Sequence, residues 1–243
     1  MAQADWTFLT GGLAAQTVDR GVTAGTTPPV GGNNFVYGFN SLAIGAGAVG
    51  LFNNQVNFAP MASGSSVRGA MKRAPSGGQT NFSVFLYTGW QGTAVTDGGY
   101  MLGLQDDDPS FIVLRKTSPG EGMTTGLVAG DEDPTGGQGI LLKSTEPVAI
   151  DDWVHLRMDM VVNGTGDVLL NIFKNNSGDV SSPLWEIIPG MTTTENPNGF
   201  FDDTLGANSG SPPYTSGRAG FGFQTTDVTR RAFVDYIEVF RQL

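Results

Sequence analysis

Residues 152–174, DWVHLRMDMVVNGTGDVLLNIFK, open with an unbroken period of two. Trp153, His155, Arg157, Asp159 and Val161 fall on one face, and Val154, Leu156, Met158, Met160 and Val162 on the other. A wholly apolar face opposite a mixed one specifies a long half-buried strand, because strand side chains point alternately to the two sides of a sheet. Asn163, Gly164, Thr165 and Gly166 then supply residues that tolerate positive φ at a tight reversal. Residues 168–173 return as a second, β-branched and apolar arm. The stretch predicts a hairpin within an antiparallel sheet.

Composition extends that expectation to the whole chain. Thirty-six glycines and 13 prolines in 243 residues, with 15% charged side chains, predict many short strands joined by turns and few helices. The length is compatible with one all-β domain and allows a large core. A net charge of −10 opposes binding to a nucleic-acid backbone or to an anionic membrane surface. The basic pairs Lys72-Arg73, Arg115-Lys116 and Arg230-Arg231 are too dispersed for a nucleic-acid footprint. With no cysteine, the chain folds in a reducing compartment or needs no staple. Residues 1–9 lack a basic segment followed by an apolar one, so no signal peptide is expected.

In chain order, 1–34 reads as an N-terminal arm and 35–243 as a single β-sandwich domain. Residues 10–34 hold two glycine pairs and Pro28-Pro29, the texture of a strap that contacts a partner. Strands are expected over 35–42, 66–73, 81–90, 99–104, 110–116, 125–129, 139–143, 183–188, 218–224 and 231–240. Residues 81–90 are apolar on both faces, as a central strand of packed layers must be. Residues 189–216 form a second long polar segment.

The order of a Trp-initiated strand (153–157), a hairpin, a glycine-aromatic strand (217–223) and a last strand bearing Asp235, Tyr236, Ile237, Glu238 and Val239 resembles the C-terminal half of concanavalin A-like jelly rolls, which include laminin-G-like and glucanase-like modules. The resemblance covers about 90 residues of strand pattern. It implies an all-β fold: a two-sheet antiparallel jelly-roll sandwich, with long irregular loops and the arm. It also implies a sheet face of the kind that often binds glycans.

Catalytic patterns are missing. Glucanases of that group carry alternating carboxylates on one strand face, roughly 5–5.5 Å apart in retaining enzymes. Asp131, Glu132 and Asp133 lie in a turn, and the spacing of three between Asp235 and Glu238 places them on opposite strand faces. His155 is the sole histidine and has no evident serine or cysteine partner. The chain is read as not an enzyme. Asp106, Asp108, Asp131 and Asp133 are candidate calcium ligands, although turn chemistry alone selects such residues. Zinc is excluded by the donor count.

Three functions remain in competition. A non-enzymatic structural subunit of a bacteriophage virion, a capsid decoration or tail-associated protein, fits the chain's texture, which resembles phage virion proteins. Its contacts would be Leu13, Val18, Val22 and Val30 in the strap and Tyr214 in the late loop, against other virion proteins or further copies of itself. The alternative is a lectin-like module or adhesin that stacks a surface glycan on Trp90, Tyr100 or Trp185, whereas Trp6 and Trp153 read as core or edge residues. A glycoside hydrolase is the third.

Overall fold

The computed structural model describes residues 6–9, 11, 18–20, 29–32, 37–40, 47–53, 64–73, 82–105, 109–125, 127, 139–225 and 231–241. Among these residues fifteen strands run in the order β1 (Trp6–Phe8), β2 (Val18–Arg20), β3 (Tyr37–Asn40), β4 (Gly47–Asn53), β5 (Ser65–Arg73), β6 (Phe82–Trp90), β7 (Gly99–Leu104) and β8 (Ser110–Thr117). After a short 3₁₀ turn, Gly122–Thr125, come β9 (Ile140–Val148), β10 (Val154–Val162), β11 (Val168–Asn175), β12 (Trp185–Ile187), β13 (Gly199–Asp202), β14 (Arg218–Thr225) and β15 (Arg231–Arg241). One sheet has the order β1-β4-β14-β6-β7-β8-β9. The other runs β12-β11-β10-β5-β15-β3-β2, and β13 shares the free edge of β11 with β12. Every ladder is antiparallel.

The hairpin forms where the alternation places it. Val154, Leu156, Met158 and Met160 of β10, with Val168, Leu170 and Ile172 of β11, are at most 2% exposed and pack into the interlayer core. Val84, Leu86, Leu102, Leu104 and Leu114 meet them from the other sheet. Each large aliphatic side chain so buried contributes about 1.5–3 kcal/mol. The turn is closed by polar bonds: Asn163 Oδ1 accepts the amides of Thr165 at 3.0 Å and Asp167 at 2.9 Å. Gly166 takes the positive φ, 89°.

Among the described residues, the central strands of the seven-stranded sheet are buried on both sides. Phe85, Tyr87, Trp90, Met101 and Val113 point away from the sandwich into a second cluster, closed by Met123, Leu127, Val95 and Leu9. This explains the doubly apolar pattern of 82–90. The strand expected over 125–129 lies mostly outside the described residues, of which it includes only Thr125 and Leu127. The 3₁₀ turn over Gly122–Thr125 inserts Met123 into this cluster, and Leu127 beyond it is also fully buried there.

Two segments read as loop-like in sequence contribute strands. Within the arm, β1 pairs with β4 and β2 with β3, and the buried Trp6 packs edge-on against Phe221 at 5.1 Å between ring centroids. The late polar segment contributes β13 and is pinned by Asn196, whose Nδ2 donates to Phe200 O at 3.0 Å and Asn171 Oδ1 at 3.2 Å. Trp6→Ala is therefore expected to cost about 3–5 kcal/mol in urea unfolding, the loss typical of a buried aromatic. An unchanged midpoint would show that the arm detaches from the body.

Candidate binding face on the eight-stranded sheet

Burial of the even residues of β10 forces its odd residues to the outer side of the eight-stranded sheet. The strand register then sets cross-strand rows. One row is Ile187, Phe173, Arg157, Arg68 and Glu238, from β12 across β11, β10 and β5 to β15. At about 4.8 Å per strand it spans roughly 19 Å. The adjacent row holds Trp185, Asn175, His155, Ala70 and Asp235. The next holds Asn171, Asp159, Ser66 and Phe240.

Rings and guanidinium groups interleave on this face. The Arg157 guanidinium lies 5.5 Å from the Phe173 ring centroid and 5.9 Å from that of Trp185. Arg68 lies 5.1 Å from Phe240 and 6.0 Å from Tyr236. His155 stacks at a tilt on Trp185, 4.7 Å between centroids, and meets Tyr236 edge-on at 6.0 Å. Each guanidinium is matched by a carboxylate. Arg157 grips Asp159 with a two-pronged fork at 2.8 and 2.6 Å, and Arg68 pairs with Glu238. The face is thus close to neutral. Its rings and charged heads are partly exposed: Phe240 by 42%, and the side chains of Glu238 by 37%, Arg157 by 33% and Arg68 by 22%.

A bulge in β15 overturns the expectation for the two carboxylates. Asp235 pairs with Ala70 and Glu238 with Arg68, two residues apart on β5, so both project to the outer face. The extra residue is absorbed at Tyr236, which takes φ 53°, while Ile237 turns into the core. Spacing counts faces only on an unbulged strand. The pair is still not a glycosidase dyad. Asp235 is 2% exposed, lies against Gly32, and accepts the Tyr236 amide at 2.7 Å.

Two sequence-chosen contact residues are not available as surfaces, and a third, Tyr214, is half-buried. Trp90 is fully buried in the second cluster, and its Nε1 donates to Ala94 O at 2.9 Å. Tyr100 is fully buried and donates to Asp202 Oδ2 at 2.5 Å. Tyr214 turns inward: its hydroxyl donates to Thr117 O at 2.8 Å and its ring packs edge-on against Tyr100. Sequence alone does not reveal the layer that covers Trp90 or the loop that covers Tyr100. Trp185 is on the outer face and half-buried. Val30 is 70% exposed, and its carbonyl accepts the Val180 amide at 2.9 Å. Val18 lies in β2, its side chain outside the described residues, as are Leu13, Val22, Asp106, Asp108, Asp131 and Asp133. Among the described residues no group of three metal-ligating side chains converges. Arg68, Phe173, Tyr236 and Phe240 share this face; alternation along β5 and β11 places the first two, whereas the bulge sets the others.

An open cleft of about 550 Å³ adjoins the face at the sheet edges, lined by Ser144, Glu146, Lys174, Asn176, Glu186 and Ile187 among others. Asn176 Nδ2 donates to Glu186 there.

Two buried groups on the face titrate abnormally. Burial, reinforced by Arg68, pushes the His155 imidazole down to about 4. Burial, partly opposed by the Tyr236 amide, pushes the Asp235 carboxyl up to about 6. The unfolded chain binds the histidine proton more readily, so this group removes stability as pH falls from 6.5 to about 4. The folded chain binds the aspartate proton more readily, so this group adds stability as pH falls from about 6 to 3.8. Each effect is about 3 kcal/mol at full extent, and the two offset each other over one window. Relative to their own stability at pH 7.5, His155→Gln is expected to gain on the parent at pH 4 and Asp235→Asn to fall behind it. Parallel urea-unfolding profiles for all three proteins across that range would sink both assignments.

No protein-family model matches this sequence, and no curated protein does. Solved structures do. A point mutant of the carbohydrate recognition domain of Emp46p superposes with a TM-score of 0.52 at 11% identity, over 99% of this chain and 89% of that one. The metal-free form of the same domain gives 0.50 at 9% identity, over 99% and 89%. The exoplasmic/lumenal domain of VIP36, bound to Ca²⁺ and mannose, gives 0.50 at 12% identity, over 98% and 83%. Likeness at such identities establishes the fold and nothing finer: the chain folds as a two-sheet antiparallel jelly-roll sandwich of the concanavalin A-like type.

Proposed function

We propose that the chain is a non-catalytic, lectin-like carbohydrate-binding domain whose contact surface is the outer face of the eight-stranded sheet. One observation carries the reading: a half-buried Trp185 indole is held between His155 and Arg157 beside further rings and paired charges. A sugar offers a C–H face that stacks on such a ring and hydroxyls that bond to fixed polar groups around it. Arg157 uses two of its five N–H donors on Asp159, which holds the guanidinium in place and leaves donor capacity toward a ligand. The fold relatives support the same reading, since one is a carbohydrate recognition domain and another was solved with mannose.

Hydrolysis is a poorer reading of this face. Asp159 is 5% exposed and forked by Arg157, and Asp235 is buried, so neither is presented to a glycosidic bond as an acid or nucleophile. Calcium, present in the VIP36 structure, would here fall to Asp106, Asp108, Asp131 and Asp133. A phage-assembly role draws no support from the fold relatives, and its late-loop residue Tyr214 is half-buried with its hydroxyl bonded to Thr117 O.

A glycan array followed by calorimetry on the best ligand tests the proposal. Loss of a stacking contact of about 1.4 kcal/mol weakens binding about tenfold. Trp185→Ala is expected to show at least that loss with an unchanged melting temperature, and Arg157→Ala a similar one. Full affinity in both variants, or no ligand on the array, would overturn the assignment.

A further inference from the structure

Lys116 lies one residue before the end of β8, and its side chain has no exposure. Its Nζ has four oxygens around it: Asp202 Oδ2 at 2.7 Å, Ser209 Oγ at 2.7 Å, Ser211 O at 2.6 Å and Pro212 O at 2.9 Å. An ammonium owns three N–H donors, so four oxygens at this range form a shell around a charge rather than a set of directed bonds. The rings of Tyr100 and Tyr214 complete it, with centroids 5.8 and 5.5 Å from Nζ. A carboxylate, a hydroxyl and two main-chain carbonyls are the donors that hard cations select.

The oxygen shell comes almost entirely from one stretch of chain. Asp202 ends β13, and Ser209, Ser211 and Pro212 belong to the loop that leads to β14. Asp202 is also tied to Tyr100 and Ser209, each at 2.5 Å. Asp203 folds the start of the loop by accepting the amides of Leu205, Ala207 and Asn208. The ammonium therefore joins the loop to the seven-stranded sheet.

We infer that this is a cation site whose permanent occupant is the protein's own Lys116 ammonium, so the loop 203–216 is organised without a metal. With one carboxylate in the shell, the site matches a monovalent charge. A calcium ion needs six to eight oxygens at about 2.3–2.6 Å and cannot share the centre with Nζ. Truncating the lysine leaves a buried carboxylate and a vacated channel from β8, which a small primary alkylammonium ion fits and a tetramethylammonium ion, lacking N–H donors, does not.

The test is thermal unfolding of the full chain in chloride salts of equal ionic strength. The parent is expected to melt at one temperature in sodium, ethylammonium or tetramethylammonium chloride, with or without EDTA. Lys116→Ala is expected to melt roughly 10 °C lower, the consequence of leaving one member of a buried pair unpartnered. It should recover several degrees in ethylammonium and none in tetramethylammonium. The double variant Lys116→Ala/Asp202→Asn should lose that selectivity. If the single variant folds too poorly to melt, its refolding yield in the two ammonium salts gives the same comparison. No preference for ethylammonium in either measurement, or a parent that EDTA destabilises by the same margin, would overturn the inference.

Discussion

The structure depends on one lock, the burial of alternate residues of β10 and β11 against the facing sheet. Strand side chains alternate strictly, so a slip of one residue would bring His155, Arg157 and Asp159 into the core and expel Leu156 and Met158. Several buried aliphatics stand against that slip, each contributing about 1.5–3 kcal/mol. Unpaired charges in the core would cost more again. The outer rows are thus held in place by packing they do not themselves share in. β5 carries the same register to Arg68 and Ala70, and β15 extends it to Asp235 and Glu238.

Sequence made this lock legible because it is local: one hairpin, one period, and one glycine-rich turn. The last two strands and the sandwich class were legible for the same reason. What escaped depends on other parts of the chain. The bulge at Tyr236 changes which face Glu238 occupies, and no spacing rule records it. Trp90 and Tyr100 looked like platforms because an aromatic on a strand is equally consistent with a surface or a covered face. Each is covered from a distance in sequence: Trp90 by the cluster around Met123, Tyr100 by Asp202 and Tyr214. Trp185 lies on the outer face, and its partners His155 and Arg157 come from a strand nearly thirty residues earlier.

A chain without cysteine has to fix its long loops by other means. Here the work falls to buried or loop-centred polar groups. Asp167 is held well down, to about 2, by the hydroxyl of Thr165 and the amide of Asn163, and it also accepts the Thr204 amide at 2.9 Å. That bond ties the β10–β11 turn to the loop after β13. Asn196 and Asp203 order the segments either side of β13, and Lys116 fastens the last of them to β8. Such groups look like ordinary turn chemistry in the sequence, because serine, asparagine and aspartate suit any loop. Their role emerges only when the distant donor arrives.

The same distribution of covered surface explains where a ligand can be met. Among the described residues, both faces of the central strands of the seven-stranded sheet are occupied, one by the interlayer core and the other by the cluster around Met123 and Leu127. The eight-stranded sheet retains an outer side with partly exposed rings, guanidinium groups and carboxylates. Among the described residues, a broad contact of the kind proposed would fall there or along the sheet edges where the open cleft lies. Because the charges of that side are paired off, it offers ring faces and hydrogen bonds more than net charge. That suits an uncharged polyhydroxylated ligand better than a strongly ionic one, in a protein whose own net charge of −10 already repels anions.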